Sequence, residues 1–484
     1  MSYAKVYAWF ALLTLAFGAA VTFLYAFGGV SNTDSTAWTL LFINGVLALS
    51  MLTYGLAKVP LGFYSIFYYF VAFFCVLIPA IWLITDDWPY ASTYGAYPVG
   101  LFSYAQLCIL VASVSFGVAY SITTASPLTM SSQSKYYSGW KLRGNHLIYL
   151  LAYCCLLAAI YISLGGSIID AAFRSETLEG AGVGQLGATR QRIAGDALGL
   201  LRRATLFSAV LLFLEYRRTR ASDGGRTAKL SIVLLAGILL NLPMSVPRGW
   251  LLAVVFVILS LIASSLQVRA WGFLIVMVFG LYVSSVIDIF KRQYWITNDS
   301  LTFDKSYFLQ GHFQSFDTFM SQILVASDRG YDWGMNFVGM IFMHIPRSMW
   351  SDKPLSPSLQ LASEYYYQNY NWYHNVGASS IGSFYLDFGL IGVVAFGSIL
   401  GALSKKLDPM LTINIGAYVA SSADCLRRNG AALTLAPFCV GGSIVFLRGS
   451  TWVGYNFYLT SIISFFAVWM VLFRRETFRR SDDA

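Results

Sequence analysis

The chain has 484 residues, of which 57% are hydrophobic, 17% aromatic and only 11% charged, with a formal net charge of +9. A soluble domain carries about 25% charged residues, and a soluble chain of this length would form about three domains. So few charges exclude an ordinary soluble enzyme, a disordered chain and a secreted disulfide scaffold, and they predict a protein that lies mostly in lipid.

Twelve apolar runs are each long enough to cross a bilayer, which takes about 20 residues. Because backbone groups in hydrocarbon must bond internally, such runs are expected to be helices. We therefore predict an all-α polytopic membrane protein with about 12 transmembrane helices. The runs lie at roughly 5–27, 37–57, 61–84, 101–122, 146–164, 198–216, 229–247, 249–267, 270–290, 381–404, 429–447 and 453–473.

The predicted spans divide the chain into four parts. Residues 1–290 hold helices 1–9 and a loop at about 165–197, residues 381–473 hold helices 10–12, and residues 474–484 form a tail. Residues 291–380 form one large loop that is rich in aromatic residues and has no run long enough to span. Since a structureless loop of that length is unusual, we expect short helices in it, lying on the outer membrane surface.

Basic residues predict the orientation of the chain. Lys and Arg are concentrated in the loops at 123–145 and 217–228 and in the tail, whereas the loops at 28–36 and 85–100 have none. Cytoplasmic loops carry the excess of Lys and Arg, so both termini are predicted inside and both long loops outside. The net positive charge is therefore a topology signal, and no nucleic acid partner is predicted.

Several arginines lie at the predicted edges of spans. Arg248 occupies an outward hairpin, Arg202 and Arg203 precede a run too short to span alone, and Arg448 closes span eleven. An ionised residue at membrane depth usually faces a partner or a wet cavity, which favours an anion site. The alternative is an interfacial anchor whose charge reaches water.

The large loop contributes two further cations. Arg347 and Lys353 stand in the stretch Ile-Pro-Arg-Ser-Met-Trp-Ser-Asp-Lys-Pro. A guanidinium binds phosphate oxygens bidentately, and an ammonium offers a point charge. The alternative is a local ion pair with Asp352.

The end of the large loop contains a candidate base. His374 can take up a proton near neutral pH, and its alternative is an ordinary surface histidine. Trp372 and Tyr373 beside it offer flat rings that stack on sugars, although such rings also populate membrane interfaces. The chain has no Asp-x-Asp pair and no histidine cluster, so no metal site and no cofactor are predicted.

Three stretches together resemble the O-antigen polymerases (Wzy-type oligosaccharide repeat-unit polymerases) and the related O-antigen ligases. They are Pro-Arg-Gly-Trp-Leu-Leu-Ala at 247–253, the stretch at 345–354, and His-Asn at 374–375 followed by Tyr-Leu-Asp-Phe-Gly-Leu-Ile-Gly at 385–392. About a dozen spans with one large late loop match the same architecture over nearly the whole chain.

The resemblance implies a GT-C-like membrane glycosyltransferase of the bacterial inner membrane with its active site facing the periplasm. Its substrate would be undecaprenyl-diphosphate-linked oligosaccharide, and a partner would be a Wzz-type chain-length regulator. His374 would accept the proton of the attacking sugar hydroxyl, and Arg248 and Arg347 would stabilise the leaving diphosphate. The residues that could assist in binding are Arg202, Arg203, Arg448, Lys353, Tyr373 and Trp372. An O-antigen ligase and a lipid-linked oligosaccharide flippase or transporter remain alternatives.

Overall fold

The computed structural model of the chain describes residues 35–85, 100–124, 136–142, 185–219, 248–263, 268–277, 313–363, 377–413 and 426–479. Its first elements are α1 (Ser35–Lys58), α2 (Phe63–Phe70), a π-helical segment (Val71–Leu77), α3 (Ile78–Thr85), α4 (Leu101–Ile122), β1 (Tyr136–Leu142), α5 (Gln185–Thr219), α6 (Arg248–Ile262) and α7 (Val268–Met277). The later elements are α8 (Ser315–Arg329), α9 (Met335–Ile341), α10 (Pro357–Leu361), α11 (Ser380–Leu411), α12 (Leu426–Leu433), α13 (Leu435–Arg448), α14 (Thr451–Leu472) and β2 (Phe473–Arg479).

Within the described ranges, six helices are long and apolar enough to cross a membrane: Ser35–Lys58, Phe63–Thr85, Leu101–Ile122, Ser380–Leu411, Gly430–Arg448 and Thr451–Leu472. Each coincides with one of the predicted spans, and the prediction of a helical membrane protein is confirmed at this level. Predicted spans 5–27, 146–164 and 229–247 lie outside the described residues. The total of twelve and the GT-C-like architecture stay predictions.

The chain forms two compact units. Unit 1 comprises Met1–Ser126, Leu301–Pro409 and Ser443–Phe457, and unit 2 comprises Pro127–Ser300, Met410–Gly442 and Tyr458–Ala484. Every contact described below joins residues of the same unit.

The core of unit 1 begins where α1 packs against the helices from Phe63 to Ile122. Trp38 and Leu41 of α1 bury their side chains against Val76, Ala80 and Leu83. Burying large apolar side chains of this kind contributes about 1.5–3 kcal/mol each relative to water. Phe102 of α4 packs against the same cluster.

A proline explains a polar contact deep in unit 1. In an α-helix the Cys75 carbonyl would accept from the residue four positions later, which here is Pro79 and has no N–H. The Gln106 side-chain amide supplies one, at 2.8 Å from that carbonyl, and the Gln106 amide oxygen accepts from Asn44 at 2.8 Å. Gln106 and Asn44 are completely buried. The sequence therefore pairs a helix-breaking residue in one span with an amide from another.

This pairing leads to a rescue experiment. We expect Gln106→Leu to lower the stability of the folded protein by about 1–3 kcal/mol, because the buried Cys75 carbonyl loses its hydrogen bond from Gln106. In a Pro79→Ala background the cost should fall, since alanine at this position restores a main-chain N–H. Thermal unfolding in nanodiscs measures both, with the lipid-facing Leu107→Ala as control. Equal losses in the two backgrounds would contradict the pairing.

Two glycines let α11 approach α4 closely. Gly397 and Gly401 are four residues apart, so they share one face of the helix. A Cβ atom at Gly397 would overlap the Ala112 carbonyl oxygen, and one at Gly401 would overlap the Phe116 carbonyl oxygen. Small residues at this spacing are typical of close helix packing in membranes.

The far end of α11 caps another helix. The Asp408 carboxylate is fully buried and accepts a hydrogen bond from the Phe63 main-chain N–H at 2.8 Å. The first N–H groups of a helix have no partner within the helix, and Gly62 offers no side chain for α2. Asp408 therefore satisfies the start of α2 from a distant part of the sequence.

Unit 2 is built around aromatic contacts between α5, α6 and α13. The Phe438 ring lies 5.3 Å from Phe207 and 5.1 Å from Trp250, in edge-to-face arrangements. Gly441 allows the backbone of α13 to meet the backbone of α6 at Ala253. These contacts position the start of α6, where one predicted arginine stands.

Three features differ from the sequence analysis. Residues 185–197, predicted as part of an outward loop, are helical and belong to α5. β1 lies in a predicted loop and β2 in the predicted tail, yet the two strands pair antiparallel, with Tyr136 opposite Arg479. α8 was expected on the membrane surface, but most of it is buried inside unit 1. The strand pair in particular joins residues that are far apart in the sequence.

Candidate functional site

The start of α11 is held against the turn between α13 and α14. The Ser380 hydroxyl donates to the main-chain carbonyls of Phe446 and Gly449, the latter at 2.9 Å. Arg448, one of the predicted site residues, is the last residue of α13 and stands between these two carbonyls in sequence. We name this contact the Ser380 junction.

The three residues before Ser380 are fixed by α8. The Thr318 hydroxyl donates to the Gly377 carbonyl at 3.1 Å, and the Ser379 hydroxyl donates to the Gln322 amide oxygen at 3.2 Å. A Cβ atom on Gly377 would lie 3.9 Å from the Arg448 carbonyl oxygen. The chain that follows residues 364–376 is therefore placed between α8 and the backbone of Arg448.

Arg448 differs from the other cations of unit 1 in its surroundings. It is half-buried at the end of α13. None of the residues that the structure describes accepts a hydrogen bond from its guanidinium. A half-buried guanidinium is stabilised most by an anion that accepts its N–H groups in pairs, so this position suits a phosphate or a carboxylate.

Arg347 and Lys353 bind the main chain of their own loop. The Arg347 guanidinium donates to the Lys353 carbonyl at 2.7 Å and to the Pro354 carbonyl at 3.3 Å. The Lys353 ammonium donates to the carbonyls of Met343 and Ile345. Lys353 is buried and Arg347 is exposed. Lys353 therefore stabilises the conformation of the loop. Arg347 is exposed, and its guanidinium has five N–H donors, more than these two carbonyls use.

Trp452 connects this loop to the turn that carries Arg448. Its indole N–H donates to the Asn336 carbonyl at 3.0 Å, and the Lys353 ammonium lies 5.9 Å from its ring centre. A Cβ atom on Gly339 would overlap the same indole ring. Of the predicted cations, Lys353 therefore lies near a tryptophan that the sequence did not single out, and Arg347 is bonded to the Lys353 carbonyl.

Carboxylates and amides line the neighbouring part of the unit. Asp332 accepts from Arg329 at 2.7 Å and from the Asn336 amide at 2.6 Å. Asp387, which is buried, accepts from the main-chain N–H of Asn336 at 3.2 Å.

Aromatic residues at this end of unit 1 were also missed. The hydroxyls of Tyr385 and Tyr104 are 3.2 Å apart, and the Tyr385 ring packs edge-on against Phe319 and Tyr331 at 6.1 Å. These residues come from three separate stretches, so no local pattern reveals the cluster. The Arg-Gly-Tyr-Asp-Trp-Gly stretch around Tyr331 was the available signal.

Unit 2 brings two other predictions together. The Arg203 guanidinium lies 4.6 Å from the Trp250 ring centre and donates to the Ser461 hydroxyl at 3.1 Å. Such a stacked cation is stabilised by the ring face. Trp250 is two residues after Arg248, so the start of α6 and Arg203 are neighbours. Arg202 is half-buried on the same helix.

One buried arginine of unit 2 was not predicted at all. Arg269 is almost fully buried and donates to the carbonyls of Leu411 and Ile413, at 2.6 and 3.0 Å, and to that of Ser260. Cations stabilise the unpaired carbonyls at the C-terminus of a helix. Arg269 therefore caps α11 and has a structural role.

Some predictions fall beyond what the structure describes. His374, Trp372 and Tyr373 lie outside the described residues, and for Arg248 only the backbone, at the first position of α6, is described. Among the described residues, no group of three or more His, Cys, Asp or Glu side chains is placed to hold a metal ion. The roles predicted for all these residues stay predictions.

Comparisons with known proteins add no relative. No protein-family model, no curated protein and no solved structure matches the chain.

Proposed function

We propose that the chain polymerises undecaprenyl-diphosphate-linked oligosaccharide repeat units into a surface polysaccharide. The reaction takes place at the periplasmic face of the bacterial inner membrane, in a GT-C-like fold of about 12 spans. The single observation that carries the proposal is the Ser380 junction. It places the chain that follows His374 against the backbone of Arg448, although 74 positions separate the two residues in the sequence.

The proposed chemistry needs a base and a cation near the same bond. The acceptor hydroxyl on the new repeat unit attacks the anomeric carbon of the growing chain and gives its proton to His374. The bond from that carbon to the diphosphate oxygen breaks, and the electron pair leaves with the lipid diphosphate. Arg448 and the predicted Arg347 stabilise this charge, as fixed cations do in a site with little water.

Contacts within unit 1 are consistent with the alternation of spans used in the proposal. Asp408 and Phe63, which meet at 2.8 Å, both fall on the side that the distribution of Lys and Arg makes cytoplasmic. Tyr104 and Tyr385, whose hydroxyls meet, both fall on the outer side. If the number of membrane crossings between the two residues of a pair were changed by one, those two residues would lie on opposite sides of the membrane.

A transporter of lipid-linked oligosaccharide is the second candidate, because two of the described spans are interrupted. The span Phe63–Thr85 contains the π-helical segment, and α11 has a non-helical residue at Gly389. Broken helices with polar residues near the break are typical of transporters. The single large outer loop with its clustered cations favours the polymerase.

A gel profile of surface polysaccharide from a host that lacks the protein tests the proposal. We expect single repeat units on the acceptor and no long ladder. Accumulation of lipid-linked oligosaccharide with no sugar on the acceptor would contradict polymerisation. Material on the periplasmic side would then indicate a ligase, and material on the cytoplasmic side a flippase.

A further inference from the structure

The first observation concerns the length of α11, which has 32 residues. At about 1.5 Å per residue this is roughly 48 Å, whereas the hydrocarbon core of a bilayer is about 30 Å thick. The helix is interrupted at Gly389, with φ 60° and ψ −142°. Glycine adopts positive φ without a steric penalty, so the sequence provides for a break at this point.

Exposure changes abruptly at the break. Before it, Ser380, Ser383 and Asp387 are at most 2% exposed. Directly after it, Leu390 is 39% and Ile391 78% exposed. The part from Leu390 to Ser404, which precedes Lys405 and Lys406, is about 22 Å long and covers most of the bilayer core. The lipid-facing part of α11 therefore begins at Leu390, and its polar first turns are enclosed by protein.

The exposed side of the short helix α9 is apolar. Its exposed side carries Met335, Val338 and Ile341, and the next residue, Phe342, is exposed as well. Its buried side carries Gly339, Met340 and the one polar residue of the helix, Asn336, which is hydrogen-bonded inside unit 1. A helix that faces water shows the opposite arrangement. The environment of this outer face must itself be apolar.

Trp333 places this helix relative to α11. Its main-chain N–H donates to the Asp387 carbonyl at 3.0 Å, two residues before Gly389, and the neighbouring Tyr331 ring packs on Gly389 itself. Trp333 has a φ of 51° and its side chain is 76% exposed. Positive φ strains a bulky residue. Because the Trp333 ring is exposed, packing inside the protein does not offset that strain.

We infer that Tyr331, Trp333, Met335, Val338, Ile341 and Phe342 form a surface, the α9 surface, that binds the lipid bilayer at the boundary between headgroups and acyl chains. The surface adjoins the start of the lipid-facing part of α11, so the two form one continuous apolar face. Trp and Tyr are enriched at this boundary, and helices with one apolar face lie in it. The inference is independent of the proposed enzymatic function.

Photoactivatable lipids test the inference on the full chain, in nanodiscs of phosphatidylethanolamine and phosphatidylglycerol. One probe carries its diazirine near the glycerol and a second carries it at the end of the acyl chain. Mass spectrometry should find residues 331–342 labelled several-fold more by the shallow probe. Ile399, exposed in the middle of the lipid-facing part, should be labelled by the deep probe, and the buried Trp82 by neither.

Two outcomes would overturn the inference. One is labelling of residues 331–342 no stronger than that of Trp82. The other is protection of these residues together with cross-links between two copies of the chain, which would assign the surface to self-association. As a second test, Trp333→Ser combined with Phe342→Ser should reduce shallow labelling of the surface and leave Ile399 unchanged, whereas Trp333→Phe should retain it.

Discussion

Arg448→Ala should abolish the polysaccharide ladder while the protein remains folded in the membrane. The guanidinium is half-buried beside the Ser380 junction, and the proposal assigns it to the charge that develops on the lipid diphosphate. Removing one such stabilising group typically costs about 10²–10³ in rate. The measurement is polymer length and turnover by purified protein in nanodiscs supplied with lipid-linked repeat units. Arg448→Lys keeps the positive charge but loses the planar guanidinium with its paired N–H donors, so this variant should retain partial activity.

The controls separate this chemical role from a structural one. Lys406→Ala removes one exposed positive charge from unit 1, at the end of α11 that lies far along the helix from Ser380, and should leave the ladder intact. Undecaprenyl diphosphate without sugar should inhibit the wild-type protein and inhibit Arg448→Lys more weakly. An Arg448→Ala variant with a normal ladder would remove Arg448 from the mechanism. A loss of activity that merely follows a lower melting temperature would make Arg448 a packing residue.

Gly401→Leu should prevent unit 1 from folding correctly. Any Cβ at this position overlaps the Phe116 carbonyl oxygen of α4, so even Gly401→Ala forces the two helices apart, at a cost of about 1–3 kcal/mol. The leucine side chain adds further overlap in the same place. The expected result is a much lower yield of protein in the membrane and loss of cooperative unfolding, measured by size-exclusion chromatography and thermal melting in nanodiscs.

A lipid-facing substitution on the same helix serves as the comparison. Val394 is 41% exposed, and Val394→Leu adds volume where no helix packs within the described part of the unit. Its melting temperature should stay close to that of the wild-type protein. Wild-type stability in Gly401→Leu would show that the close approach of α11 and α4 does not exist in the membrane.

The candidate site was only partly predictable. Arg347 and Lys353 were identified as cations of the large loop and Arg448 as a cation at the edge of a span, and the structure places Lys353 beside Trp452. The structural role of Lys353 was not evident from the sequence, because its partners are main-chain carbonyls, which every sequence contains. Thr318, Gln322 and Ser380 went unnoticed for a similar reason. Ordinary hydroxyl and amide residues acquire a role only through the groups that they meet.

The sequence by itself determined that the chain is a helical membrane protein, and it located the described spans closely. It could do so because the cost of exposing peptide groups to lipid acts on each apolar run separately. Only the tertiary structure decided where the polar helices lie: α8 is buried, and α11 leaves the protein interior at Gly389. Those positions depend on hydrogen bonds and packing between residues far apart in the chain, such as Ser380 with Phe446, which no local pattern of hydropathy records.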